Sequence, residues 1–226
     1  MQISEYFRYD EINQDLAEQI TQNLNENPRA FQRIGNSDFF EVEDTVYMQK
    51  WQYTSAHIVN KSVGRLQNYI TLDKGLSNGL KKDMGVVYNN KIVGVVKNVS
   101  DNFAVVLPVI NDQFKTSVRH KNSMDFGTME DWDGIDPGYS YVYGIPSTVE
   151  ILPGDSILTS GLSVLFPENL VVGVVDQVEH SDAADTYVLR VELATDFYSL
   201  SHVQVIGNLL KIEQEDLESE FEENDS

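Results

Sequence analysis

The spacing of apolar positions changes once along the chain. Ile12, Leu16, Ile20 and Leu24 recur every four residues, with Tyr9 just before, and Asn, Gln, Asp and Glu lie between them. That spacing places the apolar side chains on one helical face and predicts a helix over residues 3–26, with Ser4 as N-cap and Pro28 forcing the stop. The stripe is narrow, and a lone helix of this length is marginal in water. It must pack on something, either its own domain or a second copy as a coiled coil. Residues 29–45 read as irregular and acidic. From residue 51 onward the pattern is that of strands. Short runs rich in Val, Ile, Tyr and Thr occur at 51–59, 68–72, 85–87, 92–96, 103–107, 116–119, 126–129, 139–143, 156–158, 171–175 and 187–191, separated by Gly-, Asn- and Asp-rich turns. Branching at Cβ is crowded in a helix and accommodated in a pleated sheet, so these runs predict a mainly β chain.

Two of the runs match. Ile92-Val93-Gly94-Val95-Val96 and Val171-Val172-Gly173-Val174-Val175 carry their glycines 79 residues apart, and each is preceded and followed by a further strand-like segment. Glycine inside such a run marks a bulge, a sharp bend or a close backbone approach, features that small barrels need at their corners. The pairing predicts two related β modules, set against the plainer reading that any β-rich chain contains several such strings. The linker before the first copy, Tyr88-Asn89-Asn90-Lys91, reads as a tight hairpin because Asn tolerates φ > 0. Before the second copy stands a longer loop, residues 159–169, of the kind that carries function on a rigid scaffold. The densest turn cluster, DWDGIDPG at 131–138, is where the first module is expected to give way to the second.

The 226 residues suffice for one large or two small domains, and 41% apolar content is ordinary for a globular chain. The net charge of −20 argues against nucleic acid, which needs a basic patch to replace phosphate counterions, and against docking on anionic lipid. Eight acidic residues lie in the last 14 positions, so residues 212–226 are expected to form a solvated, disordered tail. With no cysteine there is no disulfide, thiolate metal site or cysteine nucleophile. No apolar run approaches a membrane span, which leaves a soluble protein or one parted from its anchor.

Candidate chemistry is sparse. Gly154-Asp155-Ser156 resembles the serine segment of two-barrel proteases of the chymotrypsin type, and His57 would supply the base. However, Ile157 and Leu158 follow the serine, where small residues are needed to form an oxyanion hole. The plainer reading makes Pro153-Gly154 a turn whose backbone Asp155 bonds. The four histidines, 57, 120, 180 and 202, are far apart in sequence, so no metal or other cofactor is expected. Tyr139, Tyr141 and Tyr143 alternate onto one face, either as a stripe covering a barrel or as an aromatic contact patch, in the second case for a protein or a glycan.

One ordered set of motifs resembles a known family. Asn68-Tyr69-Ile70-Thr71-Leu72-Asp73-Lys74-Gly75, Gly79, Lys82-Asp83-Met84-Gly85-Val86-Val87 and Val93-Gly94-Val95-Val96 look like the first barrel of the rod shape-determining protein MreC family. Gly154-Asp155, Thr159-Ser160-Gly161, Phe166-Pro167 and Val172-Gly173 look like its second barrel, and Leu200 with Val203-Gln204-Val205-Ile206 fits its ending. The resemblance covers residues 50–210, and the acidic ending is similar to the Bacteroidetes branch. One departure is Asn169, where the family usually has glycine; Asn also tolerates the left-handed conformation. The resemblance implies an N-terminal helix at 1–30 that pairs with another copy, a connecting segment and strand at 31–60, a first barrel at 61–138 and a second at 139–211. It implies the extracytoplasmic, periplasmic part of a single-pass inner-membrane protein whose anchor is absent, with Met1 an added start. It also implies a non-catalytic scaffold that self-associates and binds the elongation-specific penicillin-binding transpeptidase and other membrane elongation proteins. Gly94, Gly154, Asp155, Thr159, Ser160, Gly161, Phe166, Pro167 and Gly173 then serve turns and the long loop rather than a reaction. The alternatives are a serine hydrolase using Ser156 and His57, and a glycan-binding β module using Tyr141 and its neighbours.

Overall fold

The computed structural model describes residues 2–34, 46–181 and 185–224. Helix α1 (Gln2–Glu26) leads. It ends at Asn27, whose side chain accepts the Arg29 N–H at 2.9 Å and caps a single 3-10 turn, Pro28–Ala30. Pro28 has no N–H for the helical ladder, which is why α1 stops here. Strand β1 (Phe31–Ile34) then pairs antiparallel with β2 (Val46–Gln49). Part of the stretch read as irregular is thus a hairpin arm, because its partner strand lies beyond the acidic run; residues 35–45 fall outside the described residues.

Twelve strands follow: β3 (Trp51–Lys61), β4 (Ile70–Leu72), β5 (Gly85–Tyr88), β6 (Lys91–Val99), β7 (Ala104–Pro108), β8 (Thr116–His120), β9 (Phe126–Glu130), β10 (Tyr139–Pro146), β11 (Ser156–Thr159), β12 (Val171–His180), β13 (Thr186–Leu193) and β14 (His202–Asn208). Their hydrogen bonding closes two rings of six. The first runs β14, β3, β4, β7, β6, β5 and back to β14; the second runs β8, β9, β10, β13, β12, β11 and back to β8. A single parallel pair, Val171 with Lys91, joins them. Closure removes exposed sheet edges. Side chains alternate about the wall as the pleat demands: in β7, Ala104, Val106 and Pro108 are buried while Val105 and Leu107 are half-buried.

The two rings have the same connectivity, with β14 standing in the first where β8 stands in the second. The second barrel is therefore inserted between β7 and β14 of the first. This corrects the expected division at residue 138. The DWDGIDPG cluster is the β9–β10 connection inside the second barrel, because turn density marks chain reversals rather than module ends. The first barrel comprises residues 51–108 and β14, and the second residues 116–193. A second correction concerns the tail. Residues expected to be disordered form helix α2 (Lys211–Asn224), supported by a Lys211–Glu215 ion pair at 3.6 Å and a Gln214 to Glu218 hydrogen bond at 2.8 Å, both one turn apart. Glu, Gln and Leu are good helix formers, so charge alone misjudged this segment.

The repeat extends to register. Val86 faces Gly94 and Val87 faces Ile92, with the register slipping between them; Ile157 faces Gly173 and Leu158 faces Val171 with the same slip. On the other side, β6 slips against β7 between Val96 and Asn98, and β12 against β13 between Val175 and Gln177. A Cβ at Gly94 would lie 2.2 Å from the Leu107 carbonyl oxygen, and one at Gly173 would lie 2.1 Å from that of Glu192. Both glycines are required by close backbone approach at a barrel corner. Gly173→Val should lower stability by about 3 kcal/mol, because the opposing atom is backbone and cannot rotate away. Urea unfolding checks this, and an unchanged midpoint would refute it.

Candidate interaction surfaces

Helix α1 uses one face on the barrel and leaves another open. Ala17 and Thr21 are buried against the first barrel, Thr21 returning its hydroxyl to the Ala17 carbonyl at 2.8 Å. Asn25 locks the end: its Nδ2 donates to the Tyr53 carbonyl at 3.0 Å and its Oδ1 accepts the Tyr53 N–H at 2.8 Å. Together these contribute about 1 kcal/mol each, more if broken singly. Ile12, Leu16 and Ile20 point elsewhere, between 37% and 49% exposed, and Leu24 is half-buried at the base of the stripe. The side chain of Tyr9 lies outside the described ones. The expected apolar stripe is therefore not the face that packs on the barrel. Small Ala17 and Thr21 do that, and the four-residue period could not reveal it.

The long loop forms the joint between the barrels. Thr159 clamps it: its hydroxyl donates to the Pro167 carbonyl at 2.7 Å and accepts the Leu170 N–H at 2.9 Å. Ser160 bonds the Ser117 hydroxyl at 2.9 Å and accepts the Leu162 N–H at 3.1 Å. Gly161, at φ +78°, has the Glu168 side chain against it. Phe166 is buried with its ring and the Leu165 carbonyl against Gly85 of the first barrel, so this loop of one barrel packs on a strand of the other. Asn169 stands at φ +69° and Asn90 at φ +63°, 79 residues apart like the glycines. The two equivalent turns meet: Val171 N–H donates to the Asn90 carbonyl at 2.8 Å, and Arg119 holds the Asn169 side chain. The sequence marked Asn90 and Asn169 as turn residues that tolerate positive φ, but not that their turns meet, and Arg119 was not singled out. A cleft of about 620 Å³ opens beside this joint, lined by Leu24, Phe31, Lys50, Trp51, Leu162 and Pro167 among others.

The segment Gly154-Asp155-Ser156 is a turn. Gly154 sits at φ +99°, and Asp155 accepts the Leu152 N–H at 2.9 Å. Asp155 also accepts the Asn122 side-chain amide at 3.1 Å, and His120 Nε2 lies 3.2 Å from it while His120 Nδ1 meets the Ser123 hydroxyl at 2.9 Å. His57 is in the first barrel and Ser156 in the second, so the structure does not bring the hydrolase pair together. Instead His57 faces His202 directly across β3 and β14, with rings 4.8 Å apart, and the His57 backbone N–H donates to the Asp73 carboxylate at 2.8 Å. Sequence distance concealed that meeting, because the first and last strands of one barrel are neighbours. Among the described residues no three His, Asp or Glu side chains are placed to hold a metal.

On β10, Ser140 and Val142 point into the barrel, and the three tyrosines lie half-buried outside. Arg190 covers the Tyr139 ring at 3.9 Å, Tyr141 donates its hydroxyl to Asp133 at 3.0 Å, and the Tyr141 and Tyr143 rings are 6.4 Å apart. Burial, then Asp133, pushes the Tyr141 phenol above its usual range; burial does the same for Tyr143. With Tyr139 already stacked by Arg190, the row is a packed cover more than an open platform for sugar rings.

A leading helix clamped to the first of two equivalent six-stranded barrels, one inserted in the other, defines a two-barrel β module whose open surfaces are a helical stripe and loops. The family model described as rod shape-determining protein MreC, barrel core, matches residues 58–207. The chain belongs to the MreC family. A cell shape-determining protein MreC from Listeria monocytogenes is 25% identical over 175 residues, 76% of this chain and 59% of the relative, so the chain spans about three fifths of that relative's length. A Listeria MreC structure aligns with TM-score 0.66 at 20% identity, over 91% of this chain and 92% of that one. The major periplasmic domain of the cell shape-determining filament MreC aligns at 0.62 and 24% identity, over 71% and 98%. MreC in a complex with penicillin-binding protein (PBP2) from Helicobacter pylori aligns at 0.57 and 21%, over 71% and 99%.

Phe166→Ala should cost about 3 to 5 kcal/mol through the cavity left at the barrel joint. Thr159→Val should cost about 1 to 3 kcal/mol by orphaning the Leu170 N–H and the Pro167 carbonyl. Amide exchange across 160–170 should quicken in the Thr159 variant; unchanged protection there would show that the clamp does not hold the loop.

Proposed function

We propose that this chain is the extracytoplasmic scaffold region of a cell-elongation complex, which self-associates, binds peptidoglycan-synthesis proteins and catalyses no reaction. Family membership supports the shape-determining role. The observation that carries the self-association reading is the division of labour on α1. Ala17, Thr21 and Asn25 hold the helix to the barrel while Ile12, Leu16 and Ile20 remain exposed on another face. A stripe of this kind is satisfied by a second copy of itself, each Leu or Ile contributing about 1.5 to 3 kcal/mol when fully buried. The Helicobacter complex supports a penicillin-binding transpeptidase as partner, and the relative described as a filament supports assembly of copies. An attachment to the membrane ahead of α1 and a periplasmic location belong to the same proposal; among the described residues no helix is long and apolar enough to cross a membrane. Separation of His57 from Ser156, and the engagement of Asp155 with His120, favour the scaffold over a hydrolase.

Leu16→Asp should weaken dimerisation by a factor of about 30 or more, the loss of roughly one buried leucine. At concentrations where the parent is monomeric the melting temperature should stay unchanged, since Leu16 is half exposed in the single copy. Sedimentation equilibrium measures the first effect and thermal unfolding the second. The helix claim fails if the variant keeps the parent's mass distribution.

A further inference from the structure

The overall charge of −20 conceals a strong separation. Residues 51–108, which with the uncharged β14 make the first barrel, carry seven lysines and arginines against three aspartates, a net of +4. Residues 116–193, the second barrel, carry three cations against thirteen carboxylates, a net of −10. Residues 211–226 carry one lysine against eight carboxylates, a net of −7. Four of the seven cations of the first barrel gather at one end. Leu76 N–H donates to the Ser100 carbonyl at 2.9 Å and Ser77 N–H to that of Asp101 at 3.0 Å, joining the loop after β4 to the β6–β7 turn. Asp83 and Met84 pair with Val96 at 2.9 and 2.8 Å. These bonds assemble Lys74, Lys81, Lys82 and Lys97 around Leu76 and Phe103, which are 53% and 51% exposed. Of the local carboxylates, Asp73 accepts the His57 N–H, Asp83 lies 3.8 Å from Lys211, and Asp101 is exposed.

Helix α2 presents the complement. Leu210, Gln214, Leu217 and Phe221 recur at three- and four-residue steps and share one narrow face. Leu217 and Phe221 are each 69% exposed, and Glu213, Glu218 and Glu220 flank them. Large apolar side chains ringed by charge on a solvated helix mark a docking surface. Both surfaces stay open at once within one chain. The base of α2 is fixed by the Leu209 N–H on the Lys50 carbonyl at 2.8 Å and by Lys211 beside Asp83.

We propose that α2 of one copy seats on the lysine-bearing end of the first barrel of a second copy, Leu217 and Phe221 against Leu76 and Phe103, carboxylates facing Lys74, Lys81, Lys82 and Lys97. The two surfaces differ, so the contact is head-to-tail and propagates along an open row of copies. Attraction acts locally although whole copies repel, because exposed charges more than about 8 Å apart are screened at physiological salt. The proposal rests on the self-association reading but not on α1, and the test removes α1 first.

Sedimentation velocity at physiological salt is run on a Leu16→Asp background, with circular dichroism confirming an unchanged fold. Lys81→Glu/Lys82→Glu and Glu218→Lys/Glu220→Lys should each weaken the remaining association about tenfold or more. An equimolar mixture of the two variants should recover it, since one supplies an intact α2 and the other an intact barrel end. Leu217→Asp/Phe221→Asp should abolish it. The proposal is overturned if the Leu16→Asp chain is monomeric at every concentration, if either charge reversal leaves association intact, or if the mixture fails to recover it, which would place α2 on its own barrel. Comparison of Leu16→Asp with the parent reports on the α1 stripe alone, so the two readings fail separately.

Discussion

Strand β14 lies between β3 and β5, and the rest of the molecule depends on those two sets of backbone hydrogen bonds. It pairs with β3 over seven residues, from His202 with His57 to Asn208 with Trp51, and with β5 from Gln204 to Ile206. Without it the first barrel is an open five-stranded sheet with two unpaired edges, a state proteins avoid. With it, the second barrel is held at both ends by the first, since the chain leaves after β7 and must return. The same closure sets the base of α2, because the chain exits at Leu209 onto Lys50. It also sets the floor on which α1 lies, because Tyr53, which Asn25 grips, belongs to the strand that β14 backs.

The joint between the barrels is built from the repeat itself. Asn90 and Asn169 occupy equivalent turns, both left-handed, and these turns touch. Thr195 adds a hydrogen bond to the Ile92 carbonyl at 2.7 Å, and Asn208 reaches the Val164 carbonyl at 3.3 Å. Phe166 contributes the apolar part by sitting on Gly85. The loop differs from its short counterpart at residues 88–91 because it has this second task. The residues of the FP segment hold one barrel against the other, which is a positional role and leaves the outer faces free for partners.

Those outer faces are chemically unlike. The helix offers an apolar stripe, the second barrel an acidic wall with a half-buried tyrosine row, and the first barrel a basic end. The net charge of −20 describes none of them. Coulomb interaction between exposed groups falls off within a Debye length, so local surplus rather than net charge governs contact. Three chemically distinct surfaces permit three distinct contacts.

What the sequence determined by itself was local. The β character, the paired glycine strands, the Asn-Asn hairpin, the Pro28 stop and the turn at Asp155 follow from side-chain branching, missing donors and tolerance of positive φ, all properties of a few neighbouring residues. The family motifs were legible for the same reason: they are turns and close approaches, and each demands a particular residue at a particular place. The tertiary structure alone decided the pairings between distant segments. Nothing near residue 202 announces that its partner is residue 57, so the barrel boundary, the meeting of two histidines and the insertion of one barrel in the other were hidden. The helix shows the division within one element. Its period announced an apolar stripe, but which face packs depended on Ala17 and Thr21 fitting closely against a wall that only the closed barrel provides.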